Sequence, residues 1–170
     1  MMLKLLGALM VFLGCGGFGY LIAASHRREV KSLQQLVAAL EFMCNDLQFR
    51  QTPLPELCEQ TANTSKGVVQ SFFASLANEL MRQISPDVKK CVDAVLLSDI
   101  SIPKQTYALM ARLGECLGRF DLAGQLNDLE SVRLQAEGVL NFCTKNQESR
   151  LRSYQTLGLC AGAAMAILFV

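Results

Sequence analysis

The chain has 170 residues, enough to bury one substantial core, with 51% hydrophobic residues and a mean hydropathy of +0.28. Its 16 basic and 15 acidic side chains leave a formal net charge of +1, which excludes a basic nucleic-acid binder and an acidic-ligand binder. The apolar excess is confined to the ends: every acidic residue lies between Glu29 and Glu148, and Lys4 alone among the basic ones falls outside Arg27 to Arg152.

From Leu5 to Ser25 no residue is charged, a stretch of roughly 20 residues that as a helix reaches about 30 Å, the thickness of a bilayer core. A cleavable signal peptide is the competing reading. Ile22-Ala23-Ala24 lacks the small residue three places before a cut, and His26-Arg27-Arg28 follows at once. Residues 3–25 are therefore expected to be a retained transmembrane helix. Cys15, Gly19 and Ala23 recur on one face of it, where small side chains permit close helix packing in lipid.

The middle region, residues 26–152, reads as helix throughout. Val30, Leu33, Val37, Leu40, Cys44 and Leu47 fall at three- and four-residue steps, predicting a helix with one buried face that ends near Phe49. Thr52-Pro53 opens a short helix through Leu57 and Cys58. Ser65 is placed to cap a third, carrying Val69, Phe72, Phe73, Leu76 and Leu80. Ser85-Pro86-Asp87 offers a capping serine, a proline at the first helical position and an acid against the helix dipole, ahead of Val88, Cys91, Val92 and Val95. Ser101-Ile102-Pro103 opens a fifth helix through Tyr107, Met110, Leu113 and Leu117, which Gly118 ends. Asp121 caps the last and longest helix, through Leu126, Leu129, Leu140 and Cys143. No window alternates as a strand would. The expected fold is all-α: an antiparallel bundle of about six helices, flanked by N- and C-terminal transmembrane helices.

Residues 153–170 form the second expected span. Leu157 to Val170 is wholly apolar, with Arg150 and Arg152 just before it and Gly158, Gly162 and Ala166 on one face. Arg27, Arg28 and Lys31 follow the first span, and Lys145, Arg150 and Arg152 precede the second. The positive-inside rule then puts the middle domain in the cytoplasm. Five cysteines, Cys44, Cys58, Cys91, Cys116 and Cys143, are scattered through that domain without a CxxC pair, as suits a reducing compartment.

No chemistry-bearing constellation emerges. Gly14-x-Gly16-x-x-Gly19 has the letters of a dinucleotide fingerprint but lies inside an apolar span with no strand before it. His26 is the only histidine, among arginines at a membrane boundary, so a catalytic pair or zinc site lacks its usual imidazoles. Asp128 and Glu130 read as a solvated helix face rather than an acid–base pair. The expectation is a non-enzyme with no cofactor, metal, small-molecule substrate or nucleic acid. A membrane-tethered helical regulator or holdase is the alternative to an assembly component.

Three stretches carry a resemblance: the opening Met2-Leu3-Lys4-Leu5-Leu6-Gly7-Ala8, the turn Thr52-Pro53-Leu54-Pro55-Glu56, and Leu113-Gly114-Glu115-Cys116-Leu117-Gly118-Arg119-Phe120-Asp121 followed by Gln125. Over essentially its whole length the chain resembles the stage III sporulation protein AB family of endospore-forming bacteria. The resemblance implies a component of a multiprotein channel between mother cell and forespore, in the mother-cell membrane surrounding the forespore. Its helical domain would be similar to the cytoplasmic domains of type II secretion platform proteins. The implied partners are a secretion-type ATPase of the same system (stage III sporulation protein AA-like) and other membrane subunits of the channel. The motif itself reads first as a structural corner, with Gly118 as a left-handed helix end, Asp121 as the next N-cap and Gly114 at a close helix contact. Leu113, Glu115, Phe120 and Gln125 complete it as a possible partner surface.

Overall fold

The computed structural model describes the backbone of residues 2–82, 87–98, 101–118 and 121–169, and the side chains of those between 25 and 145. Six helices run in order: α1 Met2–Phe49, α2 Leu54–Thr64, α3 Val68–Arg82, α4 Val88–Ser98, α5 Lys104–Cys116 and α6 Leu122–Phe169. No strand occurs among the described residues. The chain divides into two units, one of residues 29–141 and one formed by residues 1–28 with 142–170.

Within residues 29–141, α2 packs on α3, α3 on α4 and α4 on α5. The stripe expected on α1 is buried and wider than the spacing suggested: Leu33, Leu36, Leu40 and Met43 are all fully buried. Phe72 and Phe73 of α3 meet edge to face with ring centroids 5.1 Å apart, the arrangement their quadrupoles favour. Fully burying each such side chain contributes about 1.5–3 kcal/mol, which makes this apolar set the main source of stability.

Helix ends follow local chemistry, with two departures from expectation. Ser65 does not cap α3. It closes α2, its backbone N–H donating to the carbonyls of Thr61 and Ala62, and Gly67 at φ +66° turns the chain into α3. The Ser65 side chain is buried, where an N-cap would have to face the next helix start. Similarly, α4 begins at Val88 with Asp87 at the cap position, Oδ1 accepting the Lys89 N–H at 3.1 Å. Asp87 thus takes the role expected of Ser85, which lies outside the described residues. α1 stops where Arg50 and Gln51 N–H both donate to the Asp46 carbonyl, with Gln51 left-handed at φ 55°. Tyr107, expected on the buried face of α5, is 39% exposed.

Polar bonds tie α1 to its neighbours. Ser32 Oγ donates to the Glu29 carbonyl and lies 2.7 Å from Thr106 Oγ1 of α5, both hydroxyls buried. Gln35 Oε1 accepts the Lys66 N–H at 3.0 Å from the α2–α3 turn. With its own proton given to Glu29, Ser32 accepts that of Thr106. Thr106→Val should cost about 1 kcal/mol in chemical denaturation, whereas Ser32→Ala combined with Thr106→Val should cost less than the two singles added, because no buried group is then left unpaired.

Candidate functional site

The expected corner is assembled by α4, α5 and the start of α6. Val88 and Val92 stand one turn apart on α4, and Gly114 and Gly118 stand at the same spacing at the end of α5. A Cβ on Gly114 would lie 3.0 Å from Val92 Cβ, and one on Gly118 would lie 2.5 Å from Val88 Cγ2. The pairing of Val88 with Gly118 and Val92 with Gly114 makes the two helices antiparallel. Gly114 thus meets the close contact expected of it. Gly118 is constrained twice, since its φ is +83°. That left-handed backbone is one glycine adopts without a steric penalty.

Asp121 then starts α6. Its Oδ2 accepts the Gly124 N–H at 3.0 Å and Oδ1 the Ala123 N–H at 3.2 Å, while its carbonyl accepts the Gln125 N–H. Gly124 fits because a Cβ there would lie 2.8 Å from Asp121 Oδ2. Leu113 is fully buried and Gln125 nearly so, so both belong to the interior of the corner rather than to an outer surface. Glu115 is exposed and bonds Lys89 of α4 at 2.9 Å. The hydrogen bond from Lys89 holds the Glu115 carboxyl below the usual range, but an ion pair this exposed contributes little to stability. Phe120 lies outside the described residues, as do the surroundings of Gly19, Gly158 and Gly162, the glycines expected to pack the spans.

The valines and Lys89 complete a corner of which only one side was anticipated. The signal was available, because Val88-x-x-x-Val92 has the spacing of Gly114-x-x-x-Gly118.

A second polar cluster lies along α6, where Arg133 bonds both Glu130 and Glu137. The Glu130 side chain is 43% exposed, a carboxylate on a solvated helix face as expected. The Arg133 hydrogen bond pulls its carboxyl down, so protonation loosens this tie only as pH falls below the ordinary glutamate range. Burial, then the charge of Glu130, pushes the Cys44 thiol up to about 11, and burial pushes Cys58 up to about 12. Both stay protonated at neutral pH and serve as packing residues. Among the described residues no cluster of His, Cys, Asp and Glu could hold a metal ion. No helix among them is long and apolar enough to cross a membrane. The spans expected over 3–25 and 153–170 fall almost wholly on side chains outside the described set.

These observations define an all-α protein whose distinctive corner is built for helix packing. The family model for stage III sporulation protein AB matches residues 4–170, and the chain belongs to that family. It is 24% identical over 172 residues to stage III sporulation protein AB of Bacillus subtilis (strain 168), covering 99% of this chain and 100% of that one. A solved structure of stage III sporulation protein AB aligns with a TM-score of 0.61 at 21% identity, over 72% of this chain and 98% of the other. That likeness supports the helical fold, and the family assigns the protein a sporulation-related role.

Replacing Asp121 by alanine should lower stability by about 1 kcal/mol and Asp121→Asn by much less, as read by thermal unfolding, because asparagine also accepts the α6 amides.

Proposed function

We propose that this protein is a non-catalytic membrane platform of the channel between mother cell and forespore, docking a secretion-type ATPase through its helical domain. In this reading the apolar ends, 3–25 and 153–170, span the mother-cell membrane around the forespore, and residues 26–152 lie in the cytoplasm. The observation that carries it is the family match across essentially the whole chain, apolar ends included.

The charge distribution supports it. Residues 26–31 and 145–152 hold six basic side chains against two acidic ones, whereas residues 32–144 hold nine basic against thirteen acidic. A basic collar beside each apolar end suits a cytoplasmic membrane surface. An acidic body suits a partner face rich in lysine and arginine. The corner motif contributes by fixing the helices that display this surface, while its buried residues touch no partner.

The test places a thiol at Lys66, an exposed position, and another after Val170, with the unsubstituted chain as baseline. In intact cells an impermeant thiol reagent should label the C-terminal reporter and spare Lys66→Cys, which becomes labelled once the cells are permeabilised. Co-expressed stage III sporulation protein AA-like ATPase should co-purify and be released by raised salt. Labelling of Lys66→Cys in intact cells contradicts the topology, and failure of the ATPase to co-purify contradicts the docking role.

A further inference from the structure

Gly138 lies in the middle of α6, and nothing within 4 Å would meet a Cβ built on it. A mid-helix glycine costs about 1 kcal/mol relative to alanine, and no turn or neighbour among the described residues accounts for this one. It stands on an exposed face with Asn127, Ser131, Leu134, Gln135 and Asn141, where Leu134 is 55% exposed. That face carries no charge. The charged side chains of the same stretch, Asp128, Glu130, Arg133 and Glu137, are half-buried at its margins, the reverse of an ordinary surface helix. Asn127, Ser131, Leu134, Gly138 and Asn141 follow one another at alternating steps of four and three residues, the repeat that keeps one stripe turned toward a partner helix.

We infer that this stripe of α6 is a seam between two copies of the chain, lying parallel and in register with Gly138 against Gly138. The parallel sense rests on the proposed anchoring of both copies in one membrane. Charge complementarity favours a second copy as the occupant. One margin of the stripe carries Glu130; the opposite margin carries Gln135, whose Oε1 accepts a hydrogen bond from Arg112 of α5. In a parallel pair opposite margins meet, so Glu130 of each copy faces the Arg112–Gln135 pair of the other. Asp128, on the Arg112 margin, faces the neutral Ala123. Glu137 is held by Arg133 of its own helix. No like charges are brought together, and the symmetry supplies each favourable pair twice. The amide of Asn127 meets its own copy, a device that fixes register, and Gly138 lets the two backbones approach.

The experiment uses the full chain in its host membranes. Ser131→Cys on the seam and Lys104→Cys at an exposed position away from it are each oxidised with copper phenanthroline, with the unsubstituted chain as baseline. Ser131→Cys should give a band of dimer mass and Lys104→Cys should not. Adding Gly138→Leu should abolish the band. Because the site is open and leucine favours helix, that variant should melt no lower than the parent, so its loss of dimer is not loss of fold. Leu134→Glu should act likewise. The inference is overturned if Ser131→Cys gives no dimer band, if Lys104→Cys crosslinks as well, if the band survives Gly138→Leu, or if Ser131→Cys joins only a different protein. Alkaline carbonate extraction of the same membranes separates the two readings: a chain that is released yet still forms the Ser131→Cys dimer keeps the seam and loses the anchor.

Discussion

The contact of Gly114 and Gly118 with Val92 and Val88 is the constraint on which the rest of the helical domain depends. Two glycines one turn apart leave that edge of the α5 end without side chains, so a valine ridge of α4 approaches to where a Cβ added at Gly118 would lie 2.5 Å from Val88 Cγ2 and one at Gly114 3.0 Å from Val92 Cβ. The same glycine that admits Val88 also reverses the chain at φ +83°. Asp121 follows directly and caps α6. The end of one helix, the packing of a second and the start of a third are thus set within nine residues, and a side chain added at Gly118 disturbs all three.

Around this corner, apolar burial supplies most of the stability and buried polar bonds supply register. Leu33, Leu36, Leu40 and Met43 would tolerate small rotations of α1. The bond from Thr106 to Ser32 would not, because either hydroxyl displaced within the core would be left unpaired. The raised thiols of Cys44 and Cys58 fit the same picture, since burial makes them inert.

Much of this was legible in the sequence because it depends on local chemistry. The apolar spacing of α1, its end at Phe49, the turn at Gly118 and the cap at Asp121 all follow from residues within a turn or two of each other. Where adjacent residues could serve the same role, the pattern misled: Ser85 and Asp87 both suit an N-cap, and Ser65 suits either the end of α2 or the start of α3. The valine side of the corner was legible only in part: Val88-x-x-x-Val92 has the spacing of the two glycines, but the fold alone brings Val88 to Gly118. The openness at Gly138 leaves no local signal either, since among the described residues nothing lies within 4 Å of a Cβ built there.

In this member of the stage III sporulation protein AB family, the glycine–valine contact is the interaction on which the helical domain rests. A double-mutant cycle on the full chain, comparing Val88→Ala, Gly118→Ala and both together by thermal unfolding, tests this most directly. Gly118→Ala should cost about 2 kcal/mol or more from left-handed strain and overpacking. The double variant should cost less than the two singles added, by about 1 kcal/mol, because removing the Val88 methyls relieves the clash. Costs that add within about 0.5 kcal/mol would show that the two residues do not interact, and the corner would not then rest on their contact.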